Sequence, residues 1–304
     1  MKHIKNALIS LFLAAMPMEV AAESIRLPPM QGDTCGTTCT IGFWRNSNLQ
    51  DISIALAGLE NLDAHDGYGT TPLHFAAIVG YTDIISTLIA SGANPDVLDQ
   101  YDKTPLMNAL NSETPATVQA FIDAGVSLDF GSPLGYVLKS CACMNSTELV
   151  QMLLDGGADI AAPDMYGDHP VFLAAGWSGP AELSAILAAR TEWQRAHPAQ
   201  FLDVQNWRSH TALTIAARWG NTENVRILLT SGADLHLQDT FGNSALHLAA
   251  RWGRPELVQL LIEAGLDAAV TNTEGQSPFF FAKDNPRLKG ADVLIFLQLA
   301  EITQ

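Results

Sequence analysis

One short pattern of polar and apolar positions recurs along most of the chain. In its first copy, residues 66–77, an Asp-x-x-Gly segment is followed by a Thr-Pro-Leu triplet (residues 71–73) and then by small apolar residues. A related triplet stands at the centre of six later copies, at residues 104–106, 132–134, 169–171, 211–213, 244–246 and 277–279. Equivalent positions are commonly 33 residues apart, as Ala212, Ala245 and Pro278 are, which indicates a repeated structural unit.

Each copy predicts a pair of helices. Its Asp-x-x-Gly segment predicts a tight turn, because glycine adopts the positive φ that other residues avoid. The threonine of the triplet can cap free amides, and proline suits the first position of a helix. A second helix follows, which in the first copy is apolar at helical spacing at Ile84, Ile85, Leu88 and Ile89. A glycine ends this helix in five copies, at Gly92, Gly125, Gly157, Gly232 and Gly265.

The 33-residue period and the segment Thr71-Pro72-Leu73-His74-Phe75-Ala76, a T-P-L-H-x-A core, resemble the ankyrin repeat. The resemblance implies an all-α fold, an ankyrin-repeat solenoid of helix-turn-helix units with hairpin fingers. We expect about seven repeats and an N-terminal half-repeat cap within residues 43–304, with a C-terminal cap at about 272–304, since solenoids need atypical ends to close the core. Residues 23–42 are then a cysteine-containing lead-in.

The resemblance also implies structural roles for four residues. Thr71 and Pro72 start the first helix of the first repeat, while His74 and His247 occupy the histidine of the ankyrin signature. In the family this histidine hydrogen-bonds within and between repeats, so we expect both to stabilise the stack rather than to bind a metal. The other repeats carry different residues at this position, which interrupts the network: Met107, Gly135, Phe172, Thr214 and Phe280.

The first residues have the pattern of a secretory signal. Lys2 and Lys5 precede an apolar run, residues 7–15, that is too short to span a bilayer, and small residues lead up to Ala22. We expect cleavage after Ala22, so that residues 1–22 are a signal peptide and the product is periplasmic or secreted. No later stretch is long enough for membrane insertion. An uncleaved anchor is the alternative.

The formal charge of the chain is −16 and is unevenly distributed. Residues 23–189 contain 4 Lys/Arg against 19 Asp/Glu, whereas residues 190–254 contain 7 against 5. So acidic a chain is not expected to bind nucleic acid or anionic lipid. Its N-terminal half would attract a cationic partner. The equally weighted alternative is that the acidity only keeps an exported protein soluble.

Four cysteines in an exported chain suggest disulfides. Bridged Cα atoms lie within about 7 Å of each other, and helix layers are about 10 Å thick, so a regular solenoid excludes pairs across three repeats. Cys35–Cys39 is then the first candidate. Cys141–Cys143 is the second, although its single-residue spacer would strain the bridge. Free thiols are the alternative for both pairs.

Aromatic and arginine side chains mark the candidate binding surface. Trp177, Trp219 and Trp252 stand seven positions after the signature proline or its equivalent in consecutive repeats, and Arg218 and Arg251 precede two of them. We expect this position to be exposed in every repeat; in the other repeats it holds Val79, Ser112, Ser140 and Asn285. The predicted finger tips carry Tyr68, Tyr101, Tyr166, Arg208 and Phe241, with Trp207 beside them. Such residues dominate binding hot spots, although the rings could instead pack on a neighbouring repeat.

No catalytic motif accompanies the repeats: the chain has no G-x-S-x-G, H-E-x-x-H, Walker or dinucleotide-binding signature. We therefore predict a monomeric, non-catalytic protein-protein interaction module, without cofactor or metal, that binds another protein through its concave face and finger tips. One alternative is an inhibitor or immunity-type protein that captures a cationic toxin or hydrolase, and another is an envelope scaffold. A third is a periplasmic enzyme whose cryptic site includes His197 and Asp203.

Overall fold

A computed structural model describes the chain at residues 38, 40–111, 114–130, 132–139, 146–164, 166–191, 194–195 and 199–302. Within these residues every regular element is a helix, and the predicted all-α fold is confirmed. Contacts divide the chain into two units, residues 1–126 and 127–304. The cysteines Cys35, Cys39, Cys141 and Cys143 lie outside the described residues, so both disulfides stay predictions.

The first unit contains a capping pair of helices and two repeats. Its helices are α1 (Ile41–Asn46), α2 (Leu49–Ala57), α3 (Pro72–Val79), α4 (Thr82–Ala90), α5 (Pro105–Asn111) and α6 (Pro115–Asp123). Helix α3 packs against α5 and α4 against α6, while α1 covers the other side of α3. There the indole of Trp44 is fully buried and stacks on Phe75 with 6.3 Å between ring centres. An aromatic residue thus closes the core at this end.

The second unit contains five repeats. Its helices are α7 (Pro133–Lys139), α8 (Ser146–Asp155), α9 (Pro170–Trp177), α10 (Pro180–Ala188), α11 (Ala199–Leu202), α12 (Ala212–Trp219), α13 (Thr222–Thr230), α14 (Ala245–Trp252), α15 (Pro255–Glu263), α16 (Pro278–Ala282) and α17 (Asp292–Ile302). The first helices of the repeats, α7, α9, α12, α14 and α16, pack side by side in one layer. The second helices, α8, α10, α13, α15 and α17, form the other layer. Short α11 belongs to the insertion of the fourth repeat and packs on α9.

Side chains cap the first helix of a repeat at its start. Thr211 Oγ1 accepts the N–H of Thr214 at 3.2 Å, and Thr71 does the same for His74. These bonds satisfy amides that have no partner within the helix. At the other end, Gly220 has φ 74° and ends α12 in the left-handed region, where a side chain would be strained. The capping side chains and the left-handed glycine therefore determine where these helices begin and end.

Each finger is a tight turn organised by its first side chain. In the sixth repeat, Asp239 Oδ1 accepts the N–H groups of Phe241 and Asn243, both at 2.9 Å. Neighbouring fingers are joined by backbone bonds: Thr240 N–H donates to the Arg208 carbonyl at 3.1 Å. Because the turn is bonded internally and to the neighbouring finger, the tip residues of the two fingers are held at a fixed distance from each other.

Two buried histidines, His74 and His247, each link their own helix to the finger of the following repeat. The backbone N–H of Ser244 donates to His247 Nδ1 at 3.2 Å, and His247 Nε2 donates to the Gln276 carbonyl at 3.1 Å. His74 makes the same pair of bonds, to Thr71 and to the Lys103 carbonyl. This pattern requires the neutral ring. Burial lowers the pKa of both histidines below the ordinary value of 6.5, although the bonds to the carbonyls oppose that shift.

Replacing His247 by threonine should remove the link to the finger while keeping the bond to the N-cap residue, since in the fifth repeat the Thr214 side chain accepts the Thr211 N–H at the same position. We expect a loss of about 1–3 kcal/mol in the free energy of unfolding near pH 7.5. The wild type should lose stability as the pH falls below about 6.5, because the unfolded chain takes up protons there that the folded chain does not. The variant should lose less over that range in urea titrations. An unchanged pH dependence would contradict this assignment.

Candidate functional site

The three tryptophans of the predicted row end three helices that pack side by side, but they are not equivalent. The Trp177 side chain is half-buried. Its ring centre lies 5.7 Å from the ring centre of Phe172 and 5.9 Å from that of Trp219. Trp219 is 55% exposed and Trp252 47% exposed. Trp177 therefore supports its neighbour, whereas Trp219 and Trp252 present their rings to solvent.

The row does not continue into the seventh repeat. Asn285 is buried, contrary to the expectation that this position is exposed, because its amide donates to the carbonyls of Ala250 and Gly253, both at 3.0 Å. Helix α16 has already ended at Ala282, so the chain turns back toward α14. Arg287 follows and its Nη1 donates to the Trp252 carbonyl at 2.5 Å. Among the earlier positions of the row, Val79 is half-buried, while Ser112 and Ser140 lie outside the described residues.

A cavity of about 350 Å³ opens between the exposed tryptophans, lined by Arg218, Trp219, Trp252 and Arg287. A second cavity of about 170 Å³ adjoins it on the finger side. Its lining includes the tip residues Arg208 and Phe241, the buried His210 and Asp239, and Arg251 with the shared Arg218 and Trp252. We call the two together the arginine–tryptophan groove, defined by Arg208, Arg218, Trp219, Phe241, Arg251, Trp252 and Arg287.

Positive charge dominates this groove. Its carboxylate, Asp239, is 7% exposed, and its oxygens accept bonds from Phe241 N, Asn243 N and Asn243 Nδ2. Among the described residues, none of the four groove arginines lies within 4.0 Å of a carboxylate oxygen. Within the described part of the chain, the charge of these guanidinium groups is therefore not neutralised by a direct ion pair.

The histidine in the groove adds no charge at neutral pH. His210 is 5% exposed, and burial lowers its pKa; Asp239 opposes this, whereas Arg218 and Arg208 lower it further. Its Nδ1 is buried without a hydrogen-bond partner among the described residues. The neutral ring therefore forms part of the groove floor, and the positive potential comes from the arginines.

Two of the four groove arginines lie over aromatic rings. The guanidinium carbon of Arg251 lies 5.0 Å from the Trp252 ring centre and 5.6 Å from that of Phe281. Arg208 stacks at 4.2 Å over Trp207, which is 71% exposed. Cation–π contacts of this kind orient a guanidinium without neutralising it.

The remaining finger-tip candidates lie outside the groove. Tyr68 is half-buried and Tyr101 is 55% exposed, both on fingers of the first unit. Tyr166 is 65% exposed in the second unit, with the Lys139 ammonium 4.5 Å from its ring centre. Sequence reasoning missed Arg287 and His210: neither belongs to the repeat signature, and only contacts between repeats bring them to the groove.

Side chains of the insertion in the fourth repeat form hydrogen bonds with the backbone of the repeats. Asp203 Oδ1 accepts the Asp234 N–H at 2.9 Å, and Arg195 donates to the Ala188 carbonyl at 2.6 Å. His197, the suggested partner of Asp203, lies outside the described residues. In the part of the chain that the structure describes, no group of three His, Cys, Asp or Glu side chains could hold a metal ion. None of the described helices has the length and apolar character needed to cross a membrane.

A family profile described as "Ankyrin repeats (3 copies)" matches the chain in five overlapping segments, residues 44–130, 73–164, 138–239, 175–273 and 213–303. The chain belongs to the ankyrin-repeat family. The predicted ankyrin-repeat solenoid is thereby confirmed. Ankyrin repeats are generally protein-protein interaction modules, and proteins built from them are typically not enzymes.

Individual relatives match only parts of this chain. It is 28% identical over 196 residues to the mouse B-cell lymphoma 3 protein homolog, covering 62% of this chain and 41% of that protein. It is 38% identical over 103 residues to mouse ankyrin repeat and SOCS box protein 9, covering 34% of this chain and 36% of that protein. The crystal structure of the human ASB11 ankyrin repeat domain superposes with a TM-score of 0.57 at 24% identity, over 76% of this chain and 98% of that domain. This last likeness shows the fold alone.

Replacing Trp219 and Trp252 together by alanine should lower the free energy of unfolding by no more than about 1 kcal/mol, because surface substitutions have small effects. Trp44→Ala should cost about 3–5 kcal/mol, since it empties a fully buried site. Denaturant titration of both variants tests this contrast. A large loss for the double variant would mean that the two exposed rings are packing residues.

Proposed function

We propose that this ankyrin-repeat chain is a monomeric, non-catalytic module that binds another protein through the arginine–tryptophan groove. The observation that carries the proposal is the groove itself, where Trp219 and Trp252 expose about half of their surface. The same groove carries four arginines without carboxylate partners among the described residues. Trp and Arg are the residues that most often supply binding energy, and concave, partly apolar sites concentrate it.

The position of the groove supports this function. Its residues come from the C-terminal ends of α12 and α14, from the fingers of the fifth and sixth repeats and, for Arg287, from the segment that follows α16. These elements are fixed by helix packing and by backbone bonds between fingers. A surface held in this way loses little conformational entropy when a partner binds, which favours affinity.

Capture of a cationic protein by the acidic N-terminal half is the weaker candidate. Several carboxylates there organise turns: Asp66 Oδ1 accepts the N–H groups of Tyr68 and Thr70, and Asp99 Oδ1 those of Tyr101 and Lys103. Such carboxylates have a structural reason to be present. The excess of acidic residues therefore supports a binding function less directly than the groove does.

Affinity capture with purified protein tests the proposed surface. We expect a protein in extract of the source organism to be retained by the wild type and lost with Trp219→Ala/Trp252→Ala. Tyr101→Ala/Tyr166→Ala is the matched control, because it removes two equally exposed rings outside the groove and should retain the protein. Retention by the wild type and both variants would place the site elsewhere, and loss only with the tyrosine variant would place it on those fingers.

Export is part of the proposal and rests on the signal pattern of residues 1–22. Expressed with its own N-terminus in a Gram-negative bacterium, the protein should be recovered from the periplasmic fraction or medium with Glu23 as its first residue. N-terminal sequencing of the recovered protein tests this expectation. Cytoplasmic protein that still carries residues 1–22 would contradict it.

A further inference from the structure

We propose that the arginine–tryptophan groove recognises a short acidic segment of a partner protein. In this arrangement carboxylates of the segment pair with the groove arginines, and an apolar side chain packs on Trp219 and Trp252. The inference rests on the proposed function and adds the chemistry of the segment. It differs from the expectation drawn from net charge, which favoured a cationic partner.

Local charge is the first argument. Arg208, Arg218, Arg251 and Arg287 line one groove, and Asp239 beside them is buried with both oxygens bonded. Guanidinium groups donate five N–H bonds in a planar fork that matches a carboxylate. A cluster of like charges without counter-charges is unfavourable in the free protein, and an incoming carboxylate relieves it.

Preorganisation is the second argument. Arg251 stacks on Trp252 and Phe281, and Arg287 is tied to the Trp252 carbonyl through Nη1. Among the described residues the Arg287 side chain makes only this hydrogen bond, so its other N–H groups can bind a ligand. Arginines held by rings lose little rotamer freedom on binding, so more of the electrostatic energy appears as affinity.

Repeat geometry is the third argument. Arg218–Trp219 and Arg251–Trp252 end adjacent helices, α12 and α14, and therefore form two equivalent pairs side by side. An extended segment across both would meet an arginine and an indole in each repeat. A segment that alternates acidic and apolar residues satisfies both kinds of group, since side chains of an extended chain alternate in direction.

The net negative charge of the chain argues against a long polyanion as the ligand of the groove. The whole chain, groove included, has a formal net charge of −16, so the protein outside the groove is acidic. Nucleic acid carries a charge every few ångströms over a long distance, and binding it requires many lysines and arginines along its path. A short acidic segment uses the groove alone, so the observations favour a peptide over a polyanion.

Three labelled peptides of about ten residues test the inference, a length that spans three repeats when extended. The first alternates glutamate with leucine, the second has glutamine for glutamate, and the third has lysine. Fluorescence anisotropy with the full chain should show the glutamate peptide binding at least about tenfold more tightly than the glutamine peptide. The lysine peptide should bind more weakly than either.

Charge-reversal variants locate the effect. Arg218→Glu and Arg251→Glu should each weaken binding of the glutamate peptide at least about tenfold. Arg226→Glu is the control with the same change in net charge, because Arg226 lies on α13 and pairs with Glu223. Arg251→Gln should act in the same direction with a smaller effect. Thermal melting checks that each variant is folded.

Two outcomes overturn the inference. One is a glutamine peptide that binds as tightly as the glutamate peptide, and the other is an Arg226→Glu variant that loses as much affinity as Arg251→Glu. Failure of every peptide to bind also counts against it. If Trp219→Ala/Trp252→Ala abolishes binding of the glutamine peptide, the groove remains a binding site of different specificity. If that double variant changes no binding, the proposed function fails with the inference.

Discussion

Close packing between the first helices of successive repeats is the constraint on which the rest of the second unit depends. Helices α12 and α14 pack against each other, and each contributes two fully buried alanines, Ala216 and Ala217 on α12 and Ala249 and Ala250 on α14. Short side chains bring the helix axes close together, so the residues at their C-terminal ends stand beside one another. The proximity of Trp219 and Trp252 is thus a consequence of how the core packs.

The hydrogen bonds between repeats fix the other wall of the groove. His247 joins α14 to the finger that follows, and the bond from Thr240 to the Arg208 carbonyl joins neighbouring fingers. Each bond is worth little alone, because the same groups bond to water in the unfolded chain. Together they hold Arg208 and Phe241 opposite the helix ends. Sequence patterns that stabilise the fold therefore also determine the geometry of the site.

The period and the Thr-Pro-Leu triplets were enough to predict the helix pairs, because the capping residue, proline and glycine act within a few positions of the chain. They also located Trp219 and Trp252. The half-burial of Trp177 depends on Phe172 and on the next repeat, which no local pattern records. The burial of Asn285 and the arrival of Arg287 follow from the early end of α16, where the repeat signature had already been lost.

Local and overall charge act over different distances in this protein. At physiological ionic strength, charges separated by more than about 8 Å are largely screened when both are exposed to solvent. A carboxylate in direct contact with Arg251 therefore responds mainly to the groove, while the net charge of −16 acts on encounter and on long anions. The sign of the total charge is consequently a poor guide to the partner. In the proposed arrangement the ligand is selected by the few arginines that packing has brought together without carboxylate partners among the described residues.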